Sequence, residues 1–337
     1  MKKITVLAIA AAALVCSCTE IEETHANSSA LKKFNAWVGK YYPQAEKTPL
    51  GAYIIEDIPG DGAQIGKASD NLFVSVEFTK KDKNGVISGY TSADIAKQLF
   101  EYSEIYYYGP EVILRSGSSN FAALEEALED MKIGGSRTLA VPGWLSSLPK
   151  YKTAEEYFDN VTGGSSFLFE FKVTDAFKSI DERDSVLIEN YIREQGLPLE
   201  KFQRDTTGFY FLTTTEPVKD TTFNENDSFE INYTGMRLDG QVFDTSVRSV
   251  ALDAGISVSG RTFSPSKITF SSTYSEIKMG GSSVIDGFAK ALCKMRPGEK
   301  ATVIFSSTLG YGSSNSGRTI PAYSPLRFDI EMTSWGN

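Results

Sequence analysis

Histidine occurs once in this chain, as His25, and cysteine three times, as Cys16, Cys18 and Cys293. A single imidazole argues against Ser-His-Asp or Cys-His catalysis and against any multi-histidine metal site. Basic residues are outnumbered: 34 Lys and Arg face 43 Asp and Glu, a net charge of −9. An acidic chain offers no electropositive footprint, so nucleic acid is not expected as a partner. No GxxxxGK(S/T), GxGxxG or CxxC motif occurs, and Asp57, Asp61 and Asp70 lack the spacing of a calcium loop. No cofactor and no metal are therefore expected. Long apolar runs are also missing, since the uncharged stretch Ile4 to Val15 is too short to span a bilayer stably. What is present is the balance of a globular chain, 41% hydrophobic and 23% charged over 337 residues. That length suggests about two domains, and the composition excludes disorder throughout and a polytopic membrane protein.

Lys2 and Lys3 precede the uncharged stretch, which ends in Val15-Cys16-Ser17-Cys18. A charged start, a short apolar run and a small-residue end are the parts of an export signal. The last four residues resemble a bacterial lipobox. The resemblance implies a signal peptide over 1–17, removed before Cys18, and acylation of Cys18. The alternative is an ordinary secretory signal with incidental cysteines, although such signals normally end in Ala-x-Ala. Acyl chains would supply the membrane affinity that the cleaved chain lacks. Cys293 would be left as the lone thiol, with no intrachain disulfide possible. Residues 18–29 carry Glu20, Glu22 and Glu23 without apolar periodicity and are expected to be a flexible tether. Their acidic run is similar to the surface-export signal of Bacteroidetes lipoproteins, or is simply a solvated linker. The expected location is the cell envelope, lipid-anchored at the outer membrane, on its periplasmic face or at the cell surface.

The rest of the chain contains a repeat. Gly51-Ala-Tyr-Ile-Ile and Gly208-Phe-Tyr-Phe-Leu each open a β-prone run. Each is followed by an alternating strand, with Val74, Val76 and Phe78 in one half and Phe229, Ile231 and Tyr233 in the other. Leu124 to Gly134 then matches Phe288 to Gly298: both place apolar residues at i, i+4 and i+7, one face of a short helix, and stop at glycine. Each half closes on a strand, Phe167 to Val173 and Leu326 to Met332. Each is also preceded by a helical pattern, Leu31, Phe34, Val38 and Tyr41 before Pro43, and Leu187, Ile188, Tyr191 and Ile192 before Gly196 and Pro198. The period is too long for a solenoid and implies duplication of a whole domain. The expected class is α+β, each domain an antiparallel sheet around one short helix and preceded by an extra helix. The expected layout is a first domain over 30–178, a linker with a helix over 179–207, and a second domain over 208–337.

The second half carries a recognisable series. Ile231-Asn-Tyr-Thr-Gly-Met-Arg-Leu-Asp-Gly-Gln-Val-Phe-Asp-Thr-Ser246 is followed by Val284-Ile-Asp-Gly-Phe288. Then come Gly310-Tyr-Gly312, Thr319-Ile-Pro321 and Leu326-Arg-Phe-Asp-Ile330. Together, in this order, they resemble the FKBP family of peptidyl-prolyl cis–trans isomerases over about 208–335. The resemblance implies the family's fold, proline-containing polypeptides as substrates, no cofactor, and a protein expected to act as a monomer. It also implies roles. Phe288 would be the floor beneath the proline ring, where the family usually has tryptophan, with Tyr233, Phe243 and Phe328 as sides and Val284 and Ile285 between them. The backbone N–H of Ile285 and the hydroxyl of Tyr311 would hold substrate carbonyls, and Asp244 would place its carboxylate near the rotating amide.

The chemistry suits a chain without histidines. An X–Pro amide turns over a barrier of roughly 20 kcal/mol because rotation destroys amide resonance, and no bond breaks. An apolar cleft removes the water that stabilises the planar amide, and a few fixed donors bind the twisted form selectively. Two departures from the family stand out. The stretch 247–274 is an insertion rich in Ser, Thr and Gly, expected beside the pocket mouth as a lid, a flap or an inert loop. Ser275 falls where the family often has a pocket aromatic.

The first repeat keeps the scaffold and lacks the site. Ser88-Gly89 stands near the expected Phe-Asp pair, and Asn120-Phe-Ala-Ala-Leu124 replaces Val-Ile-x-Gly-Trp. Gly143 to Lys150 replaces the Tyr-Gly loop. Isomerase activity is therefore expected in the second domain only. The stretch Tyr102 to Pro110 reads as a binding surface, or as a strand and loop packed on its own core. The leading functional expectation is a lipid-anchored prolyl isomerase that assists folding of envelope proteins. The alternatives are a non-catalytic peptide-binding chaperone or assembly scaffold, and a purely structural lipoprotein.

Overall fold

The computed structural model describes residues 26–335. The expected signal peptide over 1–17, Cys18 and most of the expected tether lie outside the described residues, and Ser28 and Ser29, placed in that tether by the sequence, open a helix instead.

The first half runs α1 (Ser28–Tyr41), β1 (Glu46–Lys47), β2 (Tyr53–Ile58), β3 (Phe73–Asp82), β4 (Ile87–Tyr90), α2 (Ala93–Gln98), β5 (Glu111–Leu114), α3 (Ala122–Leu128), β6 (Ser136–Val141), α4 (Ala154–Asn160) and β7 (Phe167–Phe177). The second half runs α5 (Ile180–Glu194), β8 (Gln203–Arg204), β9 (Phe209–Thr215), β10 (Ser228–Arg237), β11 (Val242–Thr245), α6 (Arg248–Asp253), β12 (Ser266–Thr269), β13 (Lys278–Met279), β14 (Ser282–Ser283), α7 (Asp286–Lys294), β15 (Lys300–Phe305) and β16 (Leu326–Trp335).

The strand orders show the duplication. The first sheet is β1-β2-β6-β7-β3, with β4 and β5 both paired to β3. The second is β8-β9-β15-β16-β10, with β11 and β12 both paired to β10. The described strand pairs are all antiparallel, as expected for an α+β fold of two tandem units, and the second sheet adds the small β13-β14 edge. Even the register repeats: Tyr53 faces Ala140 across β2-β6, and Tyr210 faces Ile304 across β9-β15.

Each sheet is covered on both faces. Along β10 the buried positions alternate, Phe229, Ile231, Tyr233, Gly235 and Arg237, so one side of the strand turns inward. On that inner side Phe288 and Leu292 of α7, with Met295 just beyond its end, pack against Phe211, Val303, Phe305 and Ile330. In the first half α3 lays Leu124 and Leu128 against Val74, Val76, Leu139 and Phe171. The outer faces take the preceding helices. Phe34 and Val38 of α1 pack on Ala140 and Leu168, and Ile188, Tyr191 and Ile192 of α5 pack on Tyr210, Leu212 and Ile304. The helix of the 179–207 stretch thus lies on the second sheet.

Three local expectations are corrected. The helix expected from Leu124 to Met131 ends at Leu128, and Met131 is buried beyond it. Leu187 is 37% exposed, and the buried face of α5 carries Asp184 in its place, because Asp184 accepts hydrogen bonds from the Ser307 amide (2.8 Å) and hydroxyl (2.6 Å). Burial pushes the Asp184 carboxyl upward, and the bonds from Ser307 oppose that shift. Tyr102 to Pro110 forms no strand and does not pack only on its own core: the Tyr107 amide donates to the Arg318 carbonyl of the second half at 2.8 Å. The end of α5 follows expectation. Gly196 adopts φ 64°, its amide bonds the Arg193 carbonyl, and the Leu197 amide bonds that of Ile192, which closes the last turn on a residue free to adopt the left-handed conformation.

Candidate active site

At the open end of the second core lies a cavity of about 620 Å³. All eight candidate residues line it: Tyr233, Phe243, Asp244, Val284, Ile285, Phe288, Tyr311 and Phe328. Three places in the fold supply them. Tyr233, Phe243, Asp244 and Phe328 come from adjacent strands β10, β11 and β16. Val284, Ile285 and Phe288 come from the entry and first turn of α7, where helix geometry leaves backbone N–H groups without intrahelical partners. Tyr311 comes from the β15–β16 connection.

The strand register is pinned by side chains. The Ser246 hydroxyl accepts from the Tyr233 amide at 3.0 Å, and the Thr245 hydroxyl donates to the Tyr233 carbonyl at 2.8 Å. Gly235 pairs with Phe328 on one side and Asp244 on the other. A Cβ there would come within 2.7 Å of the Phe328 ring and 2.8 Å of the Phe243 ring. Glycine therefore lets the two rings meet edge to face across the strand, 5.6 Å apart. Phe288 lies 4.8 Å from Phe328 and 5.6 Å from Tyr233, and Phe328 stacks on Phe305. The floor and sides thus form one aromatic cluster that continues into the core.

The polar groups sit at the rim. Asp244 accepts a 2.7 Å bond from the Tyr233 hydroxyl on one oxygen and a 2.7 Å bond from Arg261 on the other. A carboxylate beside an apolar cavity needs such partners. Burial, and then the hydrogen bond to Asp244, push the Tyr233 phenol far above its usual range. Burial, and then the charge of Asp244, raise Tyr311. Both hydroxyls therefore stay protonated as donors at neutral pH.

Arg261 belongs to the 247–274 insertion. Part of that insertion is scaffold, because β12 pairs with β10 where β5 pairs with β3 in the first half. The remainder meets the rim through the Arg261–Asp244 pair, and none of 247–274 lines the cavity. Ser275 is exposed and lies outside the wall, which Met279 and Ser283 complete. Ser316, Thr319 and Ile320 also line the cavity. The Thr319-Ile320-Pro321 run was visible in the sequence, but no periodicity marked these residues as a wall.

Sequence comparison decides the assignment. Residues 219–333 match the family described as FKBP-type peptidyl-prolyl cis-trans isomerase. They form an FKBP-type isomerase domain. The FKBP domain is 34% identical over 109 residues to the macrophage infectivity potentiator of Trypanosoma cruzi, covering 32% of this chain and 43% of that protein. It is 35% identical over 106 residues to FK506-binding protein 2 of Dictyostelium discoideum, covering 32% of this chain and 63% of that protein. The chain thus spans about half the length of these relatives. Among solved structures, the three FKBP domains of wheat FKBP73 align with 85% of this chain and 94% of that one, at 16% identity and a TM-score of 0.30. FkpA from Escherichia coli aligns with 46% of this chain and 62% of its own, at 20% identity and a TM-score of 0.30.

The first sheet lacks the equipment of the FKBP domain. Lys80 pairs with Phe169 and Gly89 where Gly235 pairs with Phe328 and Asp244. Glycine thus stands at the position of the carboxylate. Phe78, without a hydroxyl, takes the place of Tyr233, and Leu124 takes that of Phe288. The described residues hold no group of three or more His, Cys, Asp or Glu placed to bind a metal. Cys293 is half-buried, bonds the Ser271 carbonyl, and its thiol is pushed up to about 11 by burial, so it stays protonated.

Proposed function

We propose that this chain is a lipid-anchored prolyl isomerase of the cell envelope, acting on X–Pro bonds of exported polypeptides through its second repeat alone. The observation that carries the reading is the aromatic cavity of about 620 Å³ with two protonated phenols and a partnered carboxylate at its rim. A proline ring seated over Phe288 would place the preceding carbonyl in a setting stripped of water. The planar amide loses more by that than the twisted one, whose carbonyl carries less resonance charge. The Tyr311 hydroxyl and the N–H groups at the start of α7 would then hold substrate carbonyls in fixed positions, which favours the twisted amide without moving a proton. The first repeat offers neither carboxylate nor phenol at the equivalent positions, and this supports a single site per chain.

The test is catalysed exchange of a peptide with an apolar residue before proline. The full-length chain should accelerate cis–trans exchange in proportion to its concentration. An exchange rate equal to the spontaneous one at high protein concentration overturns the isomerase reading and favours the peptide-binding scaffold.

A further inference from the structure

The segment Ser316–Pro321 is a wall with two faces. Ser316, Thr319 and Ile320 line the isomerase cavity. Gly317, Arg318 and Pro321 line a second cavity, of about 580 Å³, whose opposite wall contains Phe78, Phe121 and Phe169 of the first repeat. Phe78 and Phe169 hold the places that Tyr233 and Phe328 hold in the second sheet. The vestigial site of the first repeat therefore faces the back of the working site's wall.

The two repeats are joined at this wall. The Tyr107 amide donates to the Arg318 carbonyl at 2.8 Å. The next carbonyl, that of Thr319, accepts from Arg237 at 2.6 Å. Arg237 is buried at the end of β10, is oriented by Asp239, and lies over the Tyr107 ring. The Arg318 guanidinium donates to the Tyr90 hydroxyl at 2.6 Å and to Glu101 at 3.2 Å, and lies over the Tyr90 and Tyr106 rings. Tyr90 donates in turn to Glu101. An exposed ion pair alone contributes little. Here a planar fork is placed against two aromatic rings, and two successive carbonyls of the segment are fixed as well. Within the segment Ser316 and Ile320 exchange backbone bonds, so a hold on Arg318 and Thr319 passes directly to the residues that face the cavity.

We propose that the first repeat is a positioning element for the isomerase site: through Tyr90, Glu101, Tyr106 and Tyr107 it holds Arg318 and so sets Thr319 and Ile320 as the wall against which substrate packs. This rests on the isomerase reading above. It also gives the tyrosine-rich stretch a task. A wall left loose costs alignment, and small misplacements are expensive in catalysis.

The test uses the full-length chain, with Arg318→Ala, Arg318→Lys and, on the other repeat, Tyr90→Phe. Amide hydrogen exchange at Ser316 and Ile320 is measured on the same samples as kcat/KM and Tm. In Arg318→Ala, exchange at these amides should rise and kcat/KM should fall, each by roughly tenfold, with Tm nearly unchanged. Tyr90→Phe should move both readouts in the same direction by less, and Arg318→Lys should recover part of the loss. Unchanged exchange, or faster exchange with unchanged kcat/KM, overturns the proposal. A wild-type chain without isomerase activity removes the isomerase reading itself. The exchange data distinguish that outcome from a failure of the interdomain hold.

Discussion

At the scale of single residues, Asp244 and Phe288 line the same cavity and should respond differently to change. The Asp244 side chain is 39% exposed and is held by two partners at the rim. Asp244→Ala frees the Tyr233 hydroxyl and the exposed Arg261, and water can replace the bond of Arg261. Its stability cost should be roughly 1–3 kcal/mol, because the buried Tyr233 hydroxyl loses its acceptor, while kcat/KM falls at least tenfold if the carboxylate orients the Tyr233 hydroxyl. Comparing the peptide assay with a melting curve decides: a large loss of Tm would make Asp244 a structural residue. Phe288 is 2% exposed within the aromatic cluster. Phe288→Ala should cost roughly 3–5 kcal/mol and lower activity and Tm together. Phe288→Trp enlarges the floor toward a cavity that the insertion does not line. It should keep or raise activity with little change in Tm, whereas an overpacking loss of roughly 1–3 kcal/mol would show that the space is already taken.

At the scale of elements, α7 joins core to pocket, and its seat on the sheet depends on contacts outside the cavity. Gly287 turns its missing side chain toward the Phe305 ring, which a Cβ would strike, so the first turn presses directly on β15. One turn on, Lys290 bonds Asp205 at 2.5 Å, in the turn that leads into β9. Burial raises the Asp205 carboxyl, but the bonds from Lys290 and Thr207 prevail and bring it down to about 2. The unfolded value is about 3.9. A folded value below the unfolded one means that ionised Asp205 stabilises the fold above about pH 4, and that this contribution is lost as pH falls through about 2. Asp205→Asn should therefore lower Tm at pH 6, and the difference from wild type should shrink toward zero near pH 2. A constant difference across that range would show that the titration of Asp205 is not coupled to folding.

At the scale of the whole molecule, two matters lie outside the aromatic cavity: what attaches the protein, and what the duplicated domain is for. No helix of the described residues is long and apolar enough to cross a membrane, so the proposed attachment rests on acylation of Cys18. Acyl chains add about 0.8 kcal/mol for each buried CH₂. Cys18→Ala should move the chain from the membrane fraction to the soluble one. Continued membrane association with the signal removed would show that Cys18 is not the lipid site. The duplicated domain keeps its strand order and its outer helix. It carries glycine and phenylalanine where the second repeat has its rim carboxylate and its buried tyrosine. If catalysis belongs to the second repeat alone, as proposed, the first is free to serve the positioning role proposed for its contact with Arg318.

Much of this was legible in the sequence because it is local. Alternation in β10, the i, i+4 face of α7 and the stop at Gly196 follow from backbone periodicity and glycine conformation, which neighbouring residues determine. The eight cavity residues could be placed because the short motifs that carry them resemble those of the FKBP family, and those motifs sit on the same elements. Contacts between residues distant in the chain were decided only by the tertiary structure. Arg318 meets Tyr90 across 228 positions, and Asp184 meets Ser307 across 123. Arg261 reaches Asp244 from a loop with no repeating pattern. Hydrophobic periodicity records which side of an element faces inward. It does not record which charged or aromatic side chain from another part of the chain will meet that element, because that depends on how whole sheets and loops pack together.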